Sequence, residues 1–441
     1  MLKTSSLLTD RYELTMLQAA RHSGVADSQA VFEVFARSLP TGRRYGVFAG
    51  TGRLLELISD FRFREPELEY LSANGVVDSQ TLSWLSNYRF NGRITGYREG
   101  EIYFPYSPVL TVEANFAEAV LLETLVLSVL NFDTAVASAA ARMKSAAAGR
   151  NLAEMGSRRV SELAAVAAAR AAYIAGFAAT SNLEAGRSWG IPTMGTAAHA
   201  FTLMHDTEEA AFRAQIDTFG TATTLLIDTY NIEAGVRKAI EVAGTELGAV
   251  RIDSGDLATE IAKVRALLDD LGAKNTRITV TNDLDEYAIA ALAAAPVNSY
   301  GVGTSVSTGS GAPTAGFVYK LVSHKTRNGE WVNVAKTSAQ KANIAGRKTA
   351  VRRHDSEGVA SAEVVHAQTI EELGVTSNPK PQNNERNLLV EIMSEGVANQ
   401  DFVGSIGTAN ARAHHAVVVA SLPSQALRLT RGEPGIPTLL S

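Results

Sequence analysis

Polar side chains crowd the segment VRIDSGD, residues 250–256, which continues a short β-branched run. One cation, two carboxylates and a serine lie there within six residues: Arg251, Asp253, Ser254 and Asp256. Carboxylates after a buried strand suit ribose hydroxyls, a Mg²⁺ ion bound through waters and phosphates, or the positive charge of an oxocarbenium-like ribosyl carbon. Asp253 or Ser254 equally fits the N-cap of a helix that begins at Leu257.

Polar residues also follow the other short strand-like runs in the middle of the chain. They are His199, Asp228, Thr229, Asn282, Asp283, Asp285, Gly301, Gly303, Thr304 and Ser305. Loops at the carboxyl ends of parallel strands gather on one face, so these residues should converge. Taken alone, Asp228 also fits an orienting group or a helix cap, and Asp283 fits a capping box with Glu286.

The segment YGVGTSVSTGSG, residues 300–311, is rich in glycine and hydroxyl groups. Backbone N–H groups can approach a phosphate closely in such a loop. Its spacing matches neither the dinucleotide fingerprint nor the P-loop, and a plain strand-to-helix turn can have the same composition. We interpret it as a cup for a 5'-phosphate.

His199, in MGTAAHAF, follows a glycine–threonine pair near the predicted start of a helix. A histidine ring nitrogen can accept a phosphoryl group, and the N-terminal end of a helix dipole favours the phosphate. The alternative is an ordinary core or surface histidine. His205, six residues further on, is the competing candidate.

Two adjacent arginines, Arg158 and Arg159, stand in EMGSRR, which we place at the end of an alanine-rich helix. Their planar guanidinium groups suit phosphate or carboxylate, although charges at a helix C-terminus also match the helix dipole.

Tyr12, in TDRYELT, has a ring that can stack on a planar heteroaromatic substrate, and packing in the core is its alternative role.

Changes of pattern along the chain indicate the elements that position these residues. The first hundred residues mix short strands with helices, and residues 116–175 turn alanine-rich and helical. Five strand ends followed by helices between 176 and 310, the first of them IPTMGT, predict a parallel sheet or barrel. Beyond residue 330 we expect a hairpin over 331–354 that turns at Gly346, then a final helix near ARAHHAVVVASL.

Composition excludes several classes of function. The chain has 441 residues, a formal net charge of −5 and no cysteine. Disulfides, zinc–thiolate sites, iron–sulfur clusters and thiol catalysis are therefore excluded, and nucleic acid is not an expected partner. Glu118 and Glu123 interrupt the most apolar stretch, 116–132, so we expect no membrane span. Since the first residues lack a secretory signal, the expected compartment is the cytoplasm.

Taken together, these motifs resemble those of one family, the nicotinate phosphoribosyltransferases. The landmarks occur in order over most of the chain: LLTDRYELTM, FEVFARSLP, PVLTVEA, LLETLVLSVLNF, GSRR, ATSNLEAG, GTAAH, LLIDTYN, VRIDSGDL, TNDLDEYAI, YGVGTSV and VYKLV. The resemblance implies an α/β fold with an incomplete, distorted parallel barrel beside an α+β sandwich domain. It also implies a head-to-tail homodimer with a shared site. The expected domains are 131–330 for the barrel and 1–130, completed by roughly 331–441, for the sandwich.

The resemblance implies residues for each substrate. Tyr12 would stack on nicotinate from the neighbouring subunit, and Arg158 or Arg159 would hold the pyridine carboxylate or a phosphate. For phosphoribosyl pyrophosphate, the implied residues are Arg251, Asp253 with its Mg²⁺, Asp283 at the ribose, and Gly303 with Thr304 at the 5'-phosphate. Ser181, Asp228 and Gly301 complete the predicted substrate-binding set.

In this family the histidine of the GTxAH motif is transiently phosphorylated by ATP, which corresponds to His199 here. The implied reaction consumes nicotinate, phosphoribosyl pyrophosphate, ATP and water. It yields nicotinate mononucleotide, pyrophosphate, ADP and phosphate. Some relatives carry a zinc-binding cysteine cluster, which this chain lacks because it has no cysteine.

Three other readings share parts of this pattern. A nicotinamide-using relative would carry an aspartate where Ala197 follows the glycine–threonine pair, so the acid is favoured. A quinolinate-using relative has no ATP-linked histidine. A catalytically silent nucleotide-binding relative would be expected to have lost charged site residues. Which of Arg37, Arg43 and Arg44 reaches across the dimer is left open by the sequence.

Overall fold

The computed structural model describes residues 4–336, 344–372, 381 and 384–441. The chain forms two compact units, one made of Met1–Ser138 with Ala312–Ser441 and the other of Ala139–Gly311. The first unit therefore takes strands from both ends of the chain.

The helices, in chain order, are α1 (Arg11–Ser23), α2 (Thr51–Ser59), α3 (Glu65–Ala73), α4 (Ser79–Ser86), α5 (Phe116–Val120), α6 (Glu123–Ala146), α7 (Glu162–Ile174), α8 (Leu183–Trp189), α9 (His199–Leu203), α10 (Glu208–Phe219), α11 (Ile232–Ala243), α12 (Leu257–Asp270), α13 (Glu286–Ala291), α14 (Thr304–Ser307) and α15 (Gly404–Ala420). Short 3₁₀ helices occupy Gln400–Phe402 and Ser424–Leu427.

The strands are β1 (Gln29–Ala36), β2 (Gly46–Val47), β3 (Arg93–Tyr97), β4 (Ile102–Tyr103), β5 (Leu110–Asn115), β6 (Asn151–Glu154), β7 (Ala179–Thr180), β8 (Thr224–Leu226), β9 (Ala249–Ile252), β10 (Arg277–Thr281), β11 (Ser299–Val302), β12 (Phe317–Lys325), β13 (Trp331–Asn333), β14 (Lys348–His354), β15 (Ala360–Ala367), β16 (Glu385–Asn387), β17 (Leu389–Ser394), β18 (Val397–Ala398) and β19 (Thr438–Leu440).

The first unit is built on two main sheets. A seven-stranded antiparallel sheet has the order β13-β12-β1-β5-β3-β17-β18, and a four-stranded sheet has the order β16-β14-β15-β19. Strand β1 is buried along nearly its whole length, because it lies inside the larger sheet and both of its faces are covered. Lys348 at the start of β14 pairs with buried Glu33 of β1 at 2.6 Å, which neutralises a carboxylate on a buried strand.

The second unit is built on one six-stranded parallel sheet, in the order β7-β6-β11-β10-β9-β8. Helices connect successive strands from β8 to β11, as parallel pairing requires a crossover. Since β7 and β8 end the sheet rather than pairing with each other, the barrel is incomplete. The predicted fold class, an incomplete parallel α/β barrel with an α+β sandwich, is confirmed.

Two predictions about the edge of this sheet are wrong. The segment IPTMGT is not a strand, and within it only Thr193 forms an isolated bridge, to Thr180. Pro192 beside it has no N–H to donate to a sheet. Strand β6 was missed because 151–154 reads as part of an alanine-rich helical stretch, and β7, only two residues long, was missed as well. Arg158 and Arg159 therefore follow a parallel strand and not a helix end.

The predicted hairpin over 331–354 is also wrong. Strand β13 pairs with β12, while β14 pairs with β15 and β16. Residues 337–343 lie outside the described residues. Gly346 has a φ of +87°, and a Cβ there would lie 2.9 Å from the carbonyl oxygen of Gln368, so this position requires glycine without being a hairpin turn.

Helix α6 is the one described helix that is long and apolar enough to cross a membrane by length and composition. Most of its most apolar window, 72%, is buried inside the protein. Its Ala137, Ala139 and Ala140 are fully buried, as in the core helix of a globular protein.

Candidate active site

The carboxyl ends of the parallel strands carry most of the predicted site residues. Arg158 and Arg159 follow β6, Ser181 follows β7, Asp228 follows β8, Asp253 follows β9, Asp283 follows β10, and Gly303 with Thr304 follows β11. Because the strands are parallel, their carboxyl ends lie along one edge of the sheet. The chain thus places arginines, carboxylates and a glycine-rich turn side by side.

A polar cavity of about 240 Å³ opens at this edge. Its lining residues are Met155, Arg158, Arg159, Arg251, Asp253, Thr281, Asn282, Asp283, Gly301, Gly303 and Thr304. Three guanidinium groups and two carboxylates therefore face one space, together with the glycine loop. Such a set suits a ligand that carries several phosphates and a ribose.

A second cavity, of about 290 Å³, shares Met155, Arg158 and Arg251 with the first. Its other lining residues are Ser157, Ser181, Met194, Gly195, Thr196, Ala197 and Ala198. Methionine and alanine side chains make this space more apolar than the first. An apolar space with a cationic group at its border suits a flat ring that carries an anionic substituent.

Arg251 is held rigidly between the two cavities. Its Nε donates to Oγ1 of Thr281 at 3.0 Å, and its Nη2 donates to Oδ2 of Asp253 at 3.1 Å. Nη1 donates to the carbonyl oxygen of Ala197 at 3.0 Å and to the hydroxyl of Thr196. The guanidinium is therefore fixed in one orientation before any ligand binds.

Asp228 orients the turn that carries Asp253. It is buried, and its Oδ2 accepts hydrogen bonds from the N–H of Asp253 and the hydroxyl of Ser254, both at 2.7 Å. Asp228 does not line either cavity and does not cap α11, whose N-cap is Asn231. Asp253 also accepts from Thr281 at 2.9 Å. The cap alternative is wrong for Asp253 and Ser254, because Asp256 is the N-cap of α12.

The capping alternative for Asp283 is also wrong. Asp285 is the N-cap of α13, and its side chain accepts hydrogen bonds from the N–H groups of Tyr287 and Ala288. The predicted partner Glu286 pairs instead with Arg142 at 2.9 Å. The exposed carboxylate of Asp283 lines the polar cavity.

His199 is the first residue of α9 and is half-exposed. Its Nδ1 shares a hydrogen bond with Oγ1 of Thr229 at 3.1 Å, and its Nε2 lies 3.9 Å from Oδ2 of Asp253. His199 itself lines neither cavity, but the preceding Ala198 lines the second. The competitor, His205, bonds to the carbonyl oxygen of Phe201 in its own turn at 2.8 Å.

Glycine is required at one of the predicted phosphate positions. A Cβ on Gly301 would lie 2.6 Å from both Sδ of Met155 and Cγ2 of Thr281, closer than real contacts allow. Gly303 is the N-cap of α14, and a Cβ there would meet only ordinary contacts, the nearest at 3.4 Å. Both glycines lie at the cavity wall, and Gly301 in addition permits close packing of β11.

Tyr12 belongs to the first unit and is not among the lining residues of either cavity. It lies on α1 and is 45% exposed. Partial burial, together with the carboxylates of Glu123 and Glu13, raises the pKa of Tyr12 to about 12. An exposed aromatic ring of this kind suits stacking on a flat ring. Among the N-terminal arginines, Arg44 donates to the carbonyl oxygens of Thr430 and Arg431.

Met155, Thr196 and Thr281 line the site, and sequence reasoning did not select them. Met155 lines both cavities, and Thr196 and Thr281 hold Arg251. Thr281 ends β10, a strand that the sequence indicated, so a strand-end position is the signal that could have selected it. That signal failed for Met155 because β6 was taken as helix.

Magnesium would be held at this site mainly through substrate oxygens. Among the described residues no group of three or more histidines and carboxylates converges to hold a metal. Asp253 and Asp283 do line the polar cavity. Mg²⁺ commonly binds through one or two carboxylates together with waters and phosphates, so this set fits.

Comparisons with known proteins give the family. The model of the nicotinate phosphoribosyltransferase N-terminal domain matches residues 7–131, and the model of the nicotinate phosphoribosyltransferase family matches residues 150–370. Nicotinate phosphoribosyltransferase pncB1 of Mycobacterium tuberculosis is 53% identical over 98% of this chain and 95% of its own length.

More distant relatives agree. Nicotinate phosphoribosyltransferase of Bacillus subtilis is 37% identical over 80% of this chain and 75% of its own length. The crystal structure of human nicotinic acid phosphoribosyltransferase superposes with a TM-score of 0.81 at 24% identity, covering 98% of this chain and 97% of that one. The latter likeness concerns the fold. On the family model and the mycobacterial relative together, this chain belongs to the nicotinate phosphoribosyltransferase family.

Proposed function

We propose that the chain transfers the ribosyl phosphate of phosphoribosyl pyrophosphate to nicotinate, giving nicotinate mononucleotide for NAD synthesis by salvage. One observation carries this proposal beyond family membership. A polar cavity and a more apolar cavity adjoin at the strand ends and share Arg158 and Arg251. A reaction between a polyphosphate sugar and a flat aromatic acid needs two such spaces side by side.

The donor binds in the polar cavity. Gly303 and Thr304 receive the 5'-phosphate, because backbone and hydroxyl donors there suit its oxygens. Asp283 binds the ribose hydroxyls, and Arg251 with Asp253 lies at the pyrophosphate. Asp253, together with oxygens of the pyrophosphate, would hold a Mg²⁺ ion, which would neutralise part of the leaving group's charge.

Nicotinate binds in the more apolar cavity. Arg158 offers its guanidinium to the pyridine carboxylate, and Ser181 adds a hydroxyl at the same wall. Ala197 supports the acid over the amide, because an acidic side chain at this position would repel a substrate carboxylate. Tyr12 of a second copy of the chain stacks on the ring.

The reaction is a substitution at the anomeric carbon. The pyridine nitrogen donates its lone pair to that carbon, and the bond to the pyrophosphate oxygen breaks with its electron pair. Asp253 and Asp283 stabilise the positive charge that develops on the ribosyl ring. No proton is abstracted, because the nucleophile is a neutral ring nitrogen, so positioning and electrostatics provide the acceleration.

ATP couples to this step through His199. A ring nitrogen of His199 attacks the γ-phosphorus of ATP, the bond to ADP breaks, and water later hydrolyses the phosphohistidine. The position of His199 supports this role, since its Nε2 lies 3.9 Å from Asp253 at the donor's cavity. A charged group formed there acts directly on donor binding.

A His199→Ala variant tests the coupling. We expect it to form nicotinate mononucleotide without ATP hydrolysis and to lose the activation by ATP. His205→Ala, whose ring bonds to the carbonyl oxygen of Phe201 in its own turn, is the matched control and should behave as wild type. ATP coupling that is unchanged in His199→Ala would exclude this role.

The substrate is tested by assaying nicotinate, nicotinamide and quinolinate in parallel, with Mg²⁺ and with or without ATP. We expect product from nicotinate and a higher rate with ATP. Product from nicotinamide or quinolinate alone would reject nicotinate as the substrate. Binding of nicotinate without turnover would favour a catalytically silent protein.

The proposed working form is a cytoplasmic homodimer in which one copy supplies Tyr12 to the cavity of the other. Mixing Tyr12→Ala chains with Arg158→Ala chains tests it, because a mixed dimer would contain one intact site. Activity that returns on mixing supports sharing between copies. Two inactive variants that remain inactive as verified mixed dimers would show that each chain builds its own site.

A further inference from the structure

One buried carboxylate at the site has no part in the chemistry described above. Glu154 is the last residue of β6, and only 1% of its surface is exposed. It begins the loop of residues 155–159, which carries Arg158 and Arg159 to the cavities. A carboxylate is unfavourable in such a place unless donors satisfy it, so its partners show what it holds.

The two oxygens of Glu154 hold two different loops. Oε1 accepts a hydrogen bond from the N–H of Gly156, and Oε2 accepts one from the hydroxyl of Thr180 at 2.6 Å. Thr180 ends β7, immediately before Ser181. Burial raises the pKa of Glu154 above its usual value, and the hydrogen bonds from Thr180 and Gly156 offset only part of this rise.

Further bonds join the same two loops on either side of the carboxylate. The N–H of Ser181 donates to the carbonyl oxygen of Glu154 at 2.9 Å. Nδ2 of Asn182 donates to the hydroxyl of Ser157 at 3.1 Å, and the N–H of Asn182 donates to Oγ1 of Thr180 at 3.0 Å. Glu154 therefore lies at the centre of a closed set of bonds between the arginine loop and the loop of Ser181.

The arginine loop also packs on the glycine loop. A Cβ on Gly156 would lie 2.6 Å from Oγ of Ser307 and 2.8 Å from Oε1 of Glu154. The hydroxyl of Ser307 donates to the carbonyl oxygen of Gly303 at 3.1 Å. Gly156 thus lies between the carboxylate of Glu154 on one side and Ser307 of the glycine loop on the other. These two neighbours fix the position of its backbone.

We propose that Glu154 is a positioning residue, whose carboxylate sets the arginine loop against the loops of Ser181 and Gly303 and so aims Arg158 and Arg159 at the substrates. The inference rests on the proposed function. Both arginine side chains are exposed, so the position of each guanidinium group depends on the backbone of the loop that carries it. Loss of the carboxylate should weaken recognition of anions more than it slows the bond-forming step.

Kinetics of Glu154→Ala and Glu154→Gln test this role. We expect Glu154→Ala to raise KM for nicotinate by about 10- to 100-fold with a smaller fall in kcat, and to reduce the preference for nicotinate over nicotinamide. Glu154→Gln should recover most of both, because its amide oxygen accepts from Gly156 and its NH₂ donates to Thr180. Thr180→Val removes one donor and should fall between them, with Thr180→Ser near wild type.

Ile261→Val, in the buried core of α12, is the control for general destabilisation and should leave KM unchanged. The inference is overturned if folded Glu154→Ala keeps the KM and the acid preference of wild type. If Glu154→Ala does not fold, a wild-type KM in Thr180→Val overturns it. A wild-type enzyme that does not convert nicotinate refutes the proposed function instead, so the two failures are distinguishable.

Discussion

A buried charge network in the first unit and the arginines at the cavity of the second unit use charged residues in opposite ways. In the first unit, Arg352 and Glu363 are both fully buried and pair at 2.6 Å. In the second unit, Arg158 and Arg159 are exposed and face a cavity. In the first arrangement opposite charges pair inside the protein. In the second, the positive charges line a cavity that a ligand can enter.

Glu101 extends the buried arrangement of the first unit. It accepts hydrogen bonds from Nη1 of Arg386 at 2.7 Å and from Nε2 of His414 at 2.8 Å. Although burial opposes it, these bonds and the nearby Arg352 keep the pKa of Glu101 well below its usual value. Substitutions in this network should therefore change stability, and substitutions at the cavity should change activity.

The largest effect is expected for Glu363→Gln. It removes the nearer of two carboxylates beside the buried guanidinium of Arg352, since Glu101 lies at 4.0 Å, so the free energy of unfolding should fall by about 3 kcal/mol. Denaturant titration measures it, with kcat/KM of the folded enzyme as the second readout. Glu391→Gln is the control, because Glu391 pairs with Arg93 at the surface and should contribute less than about 1 kcal/mol. A large loss of kcat/KM in the folded variant would contradict the comparison, because this network is expected to act on stability and not on activity.

A pH-dependent loss of stability comes next. Burial lowers the pKa of His415 to about 4, and its Nδ1 bonds to the carbonyl oxygen of Gly100 at 2.9 Å. The unfolded chain binds this proton near pH 6.5 and the folded chain does not, so stability present above about pH 6.5 is lost as the pH falls toward about 4. The contribution is on the order of 3 kcal/mol.

His415→Gln tests this prediction, because it keeps a donor for Gly100 and removes the titration. The difference in unfolding free energy between about pH 7 and about pH 4 should be smaller in the variant than in wild type. His22→Gln, on an exposed histidine paired with Asp78, is the control. Identical pH profiles of wild type and His415→Gln would contradict the prediction.

Arg158→Ala should have a moderate effect, and on activity rather than stability. Loss of a hydrogen-bonded charge to the substrate carboxylate should lower kcat/KM for nicotinate by about 10- to 150-fold. The free energy of unfolding should change by less than about 0.5 kcal/mol, since the side chain is exposed. Arg158→Lys keeps the charge without the planar fork and should be intermediate. Arg187→Ala, at an exposed pair with Glu184, should change neither quantity.

The smallest effect separates two aspartates only two positions apart. Asp285→Ala removes the N-cap of α13 and should lower the free energy of unfolding by about 1 kcal/mol with donor affinity retained. Asp283→Ala should leave stability unchanged and raise KM for phosphoribosyl pyrophosphate. Denaturation and kinetics on the two variants measure this, and interchanged effects would reverse the assignment of cap and ligand.

The sequence predicted the convergence of strand-end residues well where strands were recognised. Strands β8 to β11 have β-branched runs followed by helices, and their ends carry Asp228, Asp253, Asp283 and Gly303 as expected. The parallel topology then places these ends on one edge. The order of β6 between β7 and β11 was not predicted, because pairing depends on long-range contacts that local pattern does not contain.

Strand β6 shows the limit most clearly. Its residues, NLAE, lack β-branched side chains and follow a long helix rich in alanine, so local preference indicates helix. Pairing with β11 and β7 makes it a strand. As a result Arg158 and Arg159 were assigned to a helix end, although their residue types were recognised.

The sequence by itself determined which residue types this chain offers for chemistry, and in which order along the strands they occur. The tertiary structure decided which carboxylate caps a helix and which lines a cavity, as Asp283 and Asp285 demonstrate. It also placed the carboxylate of Glu154 between Gly156 and Thr180, where it accepts a hydrogen bond from each. The physical reason is that hydrogen-bond partners are fixed by distances in space, and strands distant in sequence set those distances only when the sheet has formed.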